Sequence, residues 1–423
     1  MRLDELPVYA RSLDCIHCGL CLRTCPTYDL TGAEPSSPRG RIYLMRAVAE
    51  KRLDPSDATF REEMDFCLVC RHCESVCPAG VRFGEMMEAT RAELASTTKR
   101  GLGARLARSL GFGTVLRSRA WMSLAASAMR LAQRTGLAKL LGRLGEPLVA
   151  MPLVPPRAER AAMPASTPAR GGRRGEVAML EGCAMRELYG RVNRATAEVF
   201  SAIGFETRVS TGHVCCGALH AHNGELEAAR ELARETIAAF EAFGEVPVVV
   251  NSAGCGAHMK AYGHLLETDE AWSERAKRFA ARVRDFSEFV AAQAPREWAP
   301  ALETPLGKLA YDDPCHLCHG QQIRSQPREL LDRVRGVARV ELPSSESCCG
   351  SAGIYSMLRP DDSRAIFERK LAAFRASGAD VLVTANPGCH LQWESGLARA
   401  GCNARVLHVA EVLALAVRGE KRV

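Results

Sequence analysis

Eight of the eighteen cysteines in this chain lie in two short runs near its amino terminus. The first run contains Cys15, Cys18, Cys21 and Cys25, and the second contains Cys67, Cys70, Cys73 and Cys77. A proline follows the last cysteine of each run, at Pro26 and at Pro78. Both runs therefore read C-x2-C-x2-C-x3-C-P, a spacing that is typical of proteins binding two 4Fe–4S clusters.

The spacing also predicts which thiolates share a cluster. In such runs the three closely spaced cysteines bind one cluster, and the fourth binds the other. The predicted ligands are Cys15, Cys18, Cys21 and Cys77 for cluster I, and Cys67, Cys70, Cys73 and Cys25 for cluster II. This exchange brings the clusters close together, which suits the transfer of single electrons. Structural zinc is the alternative, but zinc sites usually pair two C-x2–4-C units across a longer gap.

The carboxy-terminal half carries a second cysteine pattern, and it occurs twice. Copy one contains Cys183, Cys215, Cys216 and Cys255, and copy two contains Cys315, Cys348, Cys349 and Cys389. The intervals are 32 and 39 residues in copy one and 33 and 40 in copy two, which indicates an internal repeat. Each set of four thiols could hold a further metal centre. A redox-active thiol pair and buried cysteines that pack as small apolar residues are the alternatives.

Other cysteines and several histidines lie near these sets. Cys318 is close to the second set, whereas Cys402 stands outside the pattern, and there we expect apolar packing. The neighbouring histidines are His213, His220 and His222 around the first Cys pair, and His316 and His319 around Cys315. We expect each of these to be a polar loop residue, although any of them could donate to a substrate or to a quinone.

Short apolar runs end just before the single cysteines of both copies and predict how these thiols are positioned. The runs are residues 177–180, 246–250, 309–311 and 381–384, and helical stretches such as 225–243 and 361–376 lie between them. Strands that alternate with helices predict a parallel sheet covered on both faces. Ligands of such sheets bind beyond the carboxyl ends of the strands, where the thiols of each copy should converge.

These patterns divide the 423 residues into four parts. Residues 1–95 are expected to form a mainly helical domain for two 4Fe–4S clusters, with an α+β fold like that of ferredoxins. Residues 96–175 are a basic helical connector and an exposed linker, and residues 176–300 and 301–423 are two repeated α/β domains with parallel sheets. Within the first domain, residues 37–45 could place arginines beside an anionic cluster, or could form the solvated start of a helix over 41–51.

The net charge of +7 originates in the connector. No acidic residue lies between Glu93 and Glu146, while Lys and Arg are frequent there. Basic helices with apolar faces could lie on an anionic membrane surface, cover another subunit or pack on their own protein. Nucleic acid is disfavoured as a partner, because no nucleic-acid-binding motif accompanies the charge.

The amino terminus has no apolar signal region, and no apolar stretch reaches the about 18 residues of a membrane-spanning helix. We therefore expect a cytoplasmic protein, peripheral at most on the inner face of the cell membrane. Eighteen cysteines in such a compartment are expected to be reduced rather than paired in disulfides. No G-x-G-x-x-G follows a predicted strand, and no P-loop is present. Electron-carrying clusters without a flavin or nicotinamide site imply a partner subunit.

Five short stretches, together with the order of the domains, resemble a known family. The stretches are residues 37–44, 252–260, 313–316, 348–355 and 386–389. They resemble the iron–sulfur subunits of flavin-linked 2-hydroxyacid and glycerol-3-phosphate dehydrogenases and heterodisulfide reductase fusions, which have CCG (cysteine-rich) domains. The resemblance is greatest to the iron–sulfur subunits of glycolate oxidase (glycolate dehydrogenase).

The resemblance implies a complex with an FAD-bearing subunit and a second flavin-domain subunit. Glycolate would be oxidised to glyoxylate at the flavin, and this chain, not catalytic alone, would pass the electrons to quinone or another acceptor. A lactate or glycerol-3-phosphate dehydrogenase subunit and a thiol reductase are the alternatives. The fuller CCG pattern ends in C-x-x-C, whereas this chain has His258 and Gln392 at those positions. An ordinary cubane, a His-assisted site and no metal therefore all stay open for the CCG cysteines.

Overall fold

The computed structural model describes residues 7–97, 101–137, 153–210, 212 and 215–419. In chain order, the described residues form a helical amino-terminal domain, a helical connector and two α/β domains. The predicted fold class is therefore confirmed, since parallel sheets occur in two repeated domains that follow a mainly helical one.

The amino-terminal domain is built from short helices around a small apolar core. Its helices are Pro7–Ser12, Pro26–Thr31, Pro38–Ala49, Ala58–Phe66, His72–Ser75 and Phe83–Thr97, with 3-10 turns at Leu22–Thr24 and Glu34–Ser36. The helix predicted over 41–51 begins earlier, at Pro38, because the Ser37 hydroxyl caps it by accepting a hydrogen bond from Gly40 N. Met45, Phe60 and Met86 are fully buried in the core.

The connector contains the helices Leu102–Arg108 and Arg119–Arg134, joined through a π-helical segment at Ser109–Val115. The part of the predicted helical stretch beyond residue 137 lies outside the described residues until residue 153. Arg108 and Arg117 pair with Glu225 and Glu231 of the first α/β domain. Part of the basic face of the connector thus packs on its own chain, which was one of the three alternatives for this segment.

The first α/β domain has a five-stranded sheet. Its strands are β1 (Ser166–Thr167), β2 (Gly175–Met179), β3 (Phe205–Val209), β4 (Val248–Val250) and β5 (Val283–Asp285), in the order β1-β3-β2-β4-β5. All neighbouring pairs are parallel except β1 with β3.

Strand β1 falls inside the segment that we expected to be an exposed linker. Just before it, the buried Arg160 Nη1 lies 3.0 Å from Glu187 Oε2. Most of the described residues of 153–175 are exposed, as expected of a linker, and Val154 and Arg160 are its buried exceptions. Its Pro-, Ala- and Gly-rich composition gave no sign of the distant carboxylate that buries the arginine.

The second α/β domain repeats the arrangement of the first. Its strands are β6 (Lys308–Tyr311), β7 (Ala338–Val340), β8 (Val381–Thr384) and β9 (Arg405–His408), all parallel, in the order β7-β6-β8-β9. This order matches β3-β2-β4-β5 of the first domain strand for strand. The repeat in the cysteine spacing is thus a repeat of the fold.

Helices cover both sheets, and the two domains share one core. The helices are Cys183–Ala202, Ala218–His222, Leu226–Glu241, Ala253–Lys260, Tyr262–Leu265, Ser273–Arg282 and Phe286–Gln293 in the first domain, and Cys315–Cys318, Ser325–Asp332, Tyr355–Leu358, Pro360–Ser377, Pro387–Arg399 and Val409–Gly419 in the second. A single apolar cluster joins Val177 and Val249 to Leu309 and Val383. The two α/β domains therefore form one packed unit.

None of the helices that the structure describes combines the length and the apolar character needed to span a bilayer.

Candidate metal and thiol centres

The first three cysteines of each amino-terminal run lie in loops that have left-handed residues at the same two positions. We call residues 15–21 ligand loop 1 and residues 67–73 ligand loop 2. In loop 1 the left-handed residues are His17 (φ 53°) and Gly19 (φ 83°), and at the same offsets in loop 2 they are Val69 (φ 53°) and Arg71 (φ 63°). A left-handed β-branched residue is a genuine outlier, and such strain is concentrated at functional sites. The repeated conformation indicates that both loops wrap the same kind of group.

The structure brings each predicted set of four thiols together around a separate cavity. Cys15, Cys18, Cys21 and Cys77 line one cavity, with Cys73 beside them. Cys25, Cys67, Cys70 and Cys73 line the other. In both cavities the fourth thiol comes from the opposite run, as the predicted exchange of ligands requires.

Arginines of residues 37–45 lie beside both cavities. Arg39 Nη1 donates to His17 O of ligand loop 1 at 3.1 Å. Arg41 is buried and donates to Thr27 Oγ1, which lies 3.2 Å from Cys25 Sγ. Arg41 is therefore not at a solvated helix start, and its guanidinium also pairs with Glu63. Its role beside a cluster stays a prediction. Cations in these positions suit an anionic cluster.

The donor set fits iron–sulfur clusters in its chemistry. Sulfur donors alone line the predicted ligand positions, and thiolates are the ligands of 4Fe–4S clusters. Burial raises the pKa of Cys21 to about 11 and also raises the pKa of Cys67, so both thiols need a positive group such as a metal to ionise. Among the described residues, no group of three or more Cys, His, Asp or Glu side chains is arranged to bind a single metal ion.

The thiols of the two α/β domains lie at the carboxyl ends of the parallel strands. Cys183 and Cys315 each begin the helix that follows the first strand of their copy, β2 and β6. Cys255 and Cys389 lie in the first turn of the helices that follow β4 and β8. Each of these four thiols therefore lies where a parallel strand ends and a helix begins.

Each Cys pair lies on a loop that ends in a left-handed glycine. Gly217 (φ 82°) and Gly350 (φ 83°) follow the two pairs, and a Cβ at Gly350 would lie 2.6 Å from Ser363 O. Only glycine fits both the backbone angle and the space at this point. The glycine of each Cys-Cys-Gly triplet therefore lets the pair approach the strand ends.

Within each copy the thiols contact one another. Cys215 Sγ lies 3.8 Å from Cys183 Sγ, and this hydrogen bond lowers the pKa of Cys215 well below its usual value. In the second copy, hydrogen bonds with Cys348 and Cys389 lower the pKa of Cys349. In the first copy the hydrogen bond with Cys216 also lowers the pKa of Cys255. Each copy thus contains at least one thiol that ionises readily next to others that hold the proton.

The two copies do not form two separate sites. All eight thiols line a single cavity of about 660 Å³, and Cys67, Arg91 and Arg359 also reach its wall. The cysteine spacing could not predict this shared cavity, because it describes each copy alone. No local signal shows how the two domains pack.

Ligand loop 2 lies against the second set of thiols. Cys70 packs against the apolar cluster that contains Cys348. Leu68 packs in one apolar cluster with Tyr355, and His316 Nε2 lies 2.9 Å from Val69 O. The predicted ligands of cluster II are therefore in direct contact with the second α/β domain.

The histidines near these thiols are not the polar loop residues that we expected. His220 and His319 are buried, and His222 and His316 are half-buried where domains meet. Burial lowers the pKa of His316 to about 3 and that of His319 to about 4, so both imidazoles are neutral at pH 7. That expectation is therefore wrong for these four residues, and His213 lies outside the described residues.

Contacts with the amino-terminal domain explain the environment of His222. Its Nδ1 lies 2.7 Å from Glu88 Oε1. Although burial raises the pKa of Glu88, the hydrogen bond and charge of His222 outweigh it and lower that pKa to about 2. Periodicity alone could not have found this contact, because the two residues are 134 positions apart.

The remaining cysteines have separate places. The buried Cys318 Sγ lies 3.8 Å from Cys315 O, and Cys318 is outside the wall of the shared cavity. Cys402 packs, partly buried, against the apolar cluster that contains Trp393 and Leu397. This agrees with the expected apolar packing of Cys402.

Comparison with known families defines the class of this protein. Residues 11–81 match the 4Fe-4S dicluster domain, and residues 177–260 and 309–394 match the cysteine-rich domain CCG. The chain is thus an iron–sulfur protein that joins a dicluster domain to two CCG domains.

Similar proteins from two organisms span nearly the whole chain. The "Probable glycolate oxidase iron-sulfur subunit" of Bacillus subtilis (strain 168) is 37% identical over 97% of this chain and 94% of its own length. The "Glycolate oxidase iron-sulfur subunit" of Escherichia coli (strain K12) is 32% identical over 99% and 98%. The chain belongs to the family of glycolate oxidase iron–sulfur subunits, which confirms the resemblance seen in the sequence.

Two further matches are more limited. "Lactate utilization protein A" of Geobacillus kaustophilus (strain HTA426) is 29% identical over 56% of this chain and 98% of its own length. A solved structure, "Crystal structure of a hypothetical protein from Helicobacter pylori", matches with a TM-score of 0.55 and 8% identity, over 92% of this chain and 69% of that one. At that identity the second match supports the fold alone.

Proposed function

We propose that this chain is the electron-transfer subunit of a flavin-dependent glycolate dehydrogenase complex. FAD-bearing subunits oxidise glycolate to glyoxylate, and this chain carries the electrons singly to quinone or another acceptor. The observation that carries the proposal is the packing of Cys70 against the apolar cluster that contains Cys348, which joins the dicluster domain to the CCG thiols. The names of the two nearly full-length relatives support glycolate as the substrate of the complex.

Two groups of cysteines would hold the clusters of the dicluster domain. Cys15, Cys18, Cys21 and Cys77 would hold cluster I, and Cys67, Cys70, Cys73 and Cys25 would hold cluster II. When bound, 4Fe–4S clusters supply one-electron redox chemistry. The buried side chains around ligand loop 2, such as Leu68 and Tyr355, exclude water from the contact with the second CCG domain. Arg41 and Arg39 place positive charge beside the two thiol groups.

The eight CCG cysteines would hold further centres in the shared cavity. They are Cys183, Cys215, Cys216 and Cys255 in the first set and Cys315, Cys348, Cys349 and Cys389 in the second. His258 does not line the shared cavity, but it is buried and its Nε2 has no hydrogen-bond partner in the described residues, so it could assist a site behind the first set. Burial lowers the pKa of His258 to about 4, so the imidazole is neutral, as a metal ligand must be.

Lactate oxidation is the second candidate for the complex. The lactate utilization protein covers 56% of this chain, against 97% for the relative from Bacillus subtilis. The extent of the match therefore favours glycolate.

Copurification with tagged flavin subunits tests the proposed function. The anaerobically purified complex should contain FAD in the partner and at least about eight irons in this chain, the content of two 4Fe–4S clusters. Cys21→Ser should abolish glycolate-dependent dye reduction while the FAD content stays unchanged. Cys402→Ser, in a cysteine outside both groups, is the matched control and should keep full activity. Turnover of glycolate by this chain alone would contradict the proposal.

The connector supports a peripheral contact with the membrane. Trp121, Leu124 and Leu131 are exposed on the helix Arg119–Arg134, in a region without acidic residues. Apolar and aromatic side chains on a basic helix suit an anionic bilayer surface. The complex should therefore sediment with phosphatidylglycerol vesicles and less with phosphatidylcholine vesicles. Equal recovery with both kinds of vesicle, or with neither, would contradict this contact.

A further inference from the structure

The two ligand loops have left-handed residues at the same two positions but different surroundings. Ile16 in loop 1 corresponds to Leu68 in loop 2, and Leu20 corresponds to His72, by their offsets from Cys15 and Cys67. The relative exposures are 67% for Ile16 and 56% for Leu20, against 6% for Leu68 and 8% for His72. Loop 2 is therefore buried at its outward positions, whereas loop 1 is exposed at the same positions.

The second CCG domain is what covers ligand loop 2. Leu68 packs with Cys348 and Tyr355, and the ring of His72 stacks on the ring of His319. The cover belongs to the domain that holds the adjoining set of thiols. Outward side chains of this loop thus form the contact through which one redox group is placed next to another.

At the same two outward positions, loop 1 has the apolar side chains of Ile16 and Leu20. No other part of the described residues covers them. Cys18, a predicted ligand of cluster I, is itself exposed between Ile16 and Leu20. Large apolar side chains around a redox group are costly to expose and are enriched at the centres of interfaces. Since loop 2 is covered by an electron-transfer domain of this chain, loop 1 is suited to one from another chain.

We propose that Ile16 and Leu20 form the docking surface for the FAD-bearing subunit of the complex. This inference rests on the proposed function and adds where the electron donor binds. Its contact surface is expected to be apolar, so that Ile16 and Leu20 become as buried as Leu68. Electrons then enter at the end of the dicluster domain remote from the CCG thiols.

Binding of the FAD-loaded subunit to the purified holoprotein tests the inference. The double variant Ile16→Glu/Leu20→Glu should raise the Kd at least tenfold, because it buries two charges in the interface. Leu106→Glu is the matched control, since it changes an equally exposed leucine of the connector and should leave the Kd unchanged. A Kd of the double variant within twofold of wild type would overturn the inference.

Two further measurements keep the test decisive. The reduced double variant should retain the paramagnetic resonance signal of wild type, which shows that its clusters are intact. If the signal is lost, hydrogen exchange of the wild-type chain is measured instead, with and without the FAD-bearing subunit. The FAD-bearing subunit should slow exchange in residues 13–21, and unchanged exchange there overturns the inference.

The outcomes separate this inference from the proposed function. If the FAD-bearing subunit binds and reduces wild type and the double variant alike, only the docking surface is wrong. If it neither binds nor reduces wild type, the proposed function and the docking surface are both wrong. Self-association of wild type that the double variant abolishes, with unchanged binding of the FAD-bearing subunit, would assign the surface to a second copy and overturn the inference.

Discussion

The imidazole rings of His72 and His319 stack with centroids 3.9 Å apart and planes inclined by 18°. His72 belongs to ligand loop 2, and His319 follows the helix that begins at Cys315 in the second CCG domain. His319 Nδ1 also lies 3.0 Å from Ser75 Oγ, and its Nε2 lies 2.9 Å from Glu346 O. The stacked pair therefore fixes the dicluster domain on the CCG domains at the point where the predicted centres meet.

Replacing His319 by alanine should loosen this domain contact. The substitution removes the stacked pair and the hydrogen bonds of the ring, and we expect it to lower the free energy of unfolding by about 1–3 kcal/mol. Urea unfolding of the intact holoprotein measures the change. His17→Ala is the control, because the side chain of His17 in ligand loop 1 is exposed. It should leave the free energy of unfolding unchanged. Equal unfolding midpoints for wild type and His319→Ala would show that the stack does not stabilise the contact.

The local sequence pattern predicts part of this arrangement. The thiols of each dicluster group were predicted from spacing alone, and the structure places each group around its own cavity. The strand-end positions of Cys183 and Cys389 followed from apolar runs, because the carboxyl ends of parallel strands meet at one edge. Both inferences depend only on residues near one another in the sequence or within one sheet.

Long-range packing explains what the sequence could not predict. The shared cavity depends on how the two CCG domains meet, and the contact of Glu88 with His222 joins residues 134 positions apart. The left-handed Val69 was also unpredictable, since the residue type argues against that conformation. The buried Arg160 was missed for the same reason, because its partner Glu187 lies beyond the segment.

His408 should contribute to the pH dependence of the free energy of unfolding. Burial lowers the pKa of this residue to about 3, with the charges of His390 and Arg191 adding to the effect. Its Nε2 lies 2.9 Å from Asn251 O, and its Nδ1 accepts a hydrogen bond from Ala410 N. A neutral ring satisfies both contacts, whereas a protonated ring would set an N–H against the Ala410 N–H.

Because the pKa of His408 is lower in the folded state, the unfolded chain takes up the proton first on acidification. The contribution of His408 to stability is therefore lost as the pH falls below about 6.5, by about 1.4 kcal/mol per unit until about pH 3. Urea unfolding at pH 7.5 and pH 5.5 should show a smaller loss for His408→Gln than for wild type. Leu413→Ala, a buried change in the helix Val409–Gly419, should lower stability at both values but keep the wild-type dependence. Equal pH dependence of His408→Gln and wild type would contradict the role of His408.

The glycine of the second Cys-Cys-Gly triplet should tolerate no side chain. In Gly350→Ala a Cβ would meet Ser363 O at 2.6 Å, in addition to the cost of a left-handed alanine of about 1–2 kcal/mol. Gly378→Ala is the matched control, because Gly378 is left-handed (φ 63°) with nothing within 4 Å of its Cβ position. We expect Gly350→Ala to lower the free energy of unfolding by at least twice as much as the control. Equal losses would show that only the backbone angle matters at this position.

Iron content should distinguish a metal centre in the CCG domains from a set of free thiols. Cys349 lines the shared cavity together with Cys348 and Cys389, so serine in its place removes one thiol of the second set. We expect wild-type holoprotein to hold more than the about eight irons of two 4Fe–4S clusters, and Cys349→Ser to lose the excess.

Cys402→Ser is the control for this measurement, since Cys402 packs in an apolar cluster away from the shared cavity. It should retain the iron content of wild type. A wild-type content of about eight that Cys349→Ser leaves unchanged would show that the second set holds no iron. The readily ionised Cys349 would then favour thiol chemistry in the cavity, because a thiolate beside protonated thiols is the arrangement that thiol–disulfide exchange requires.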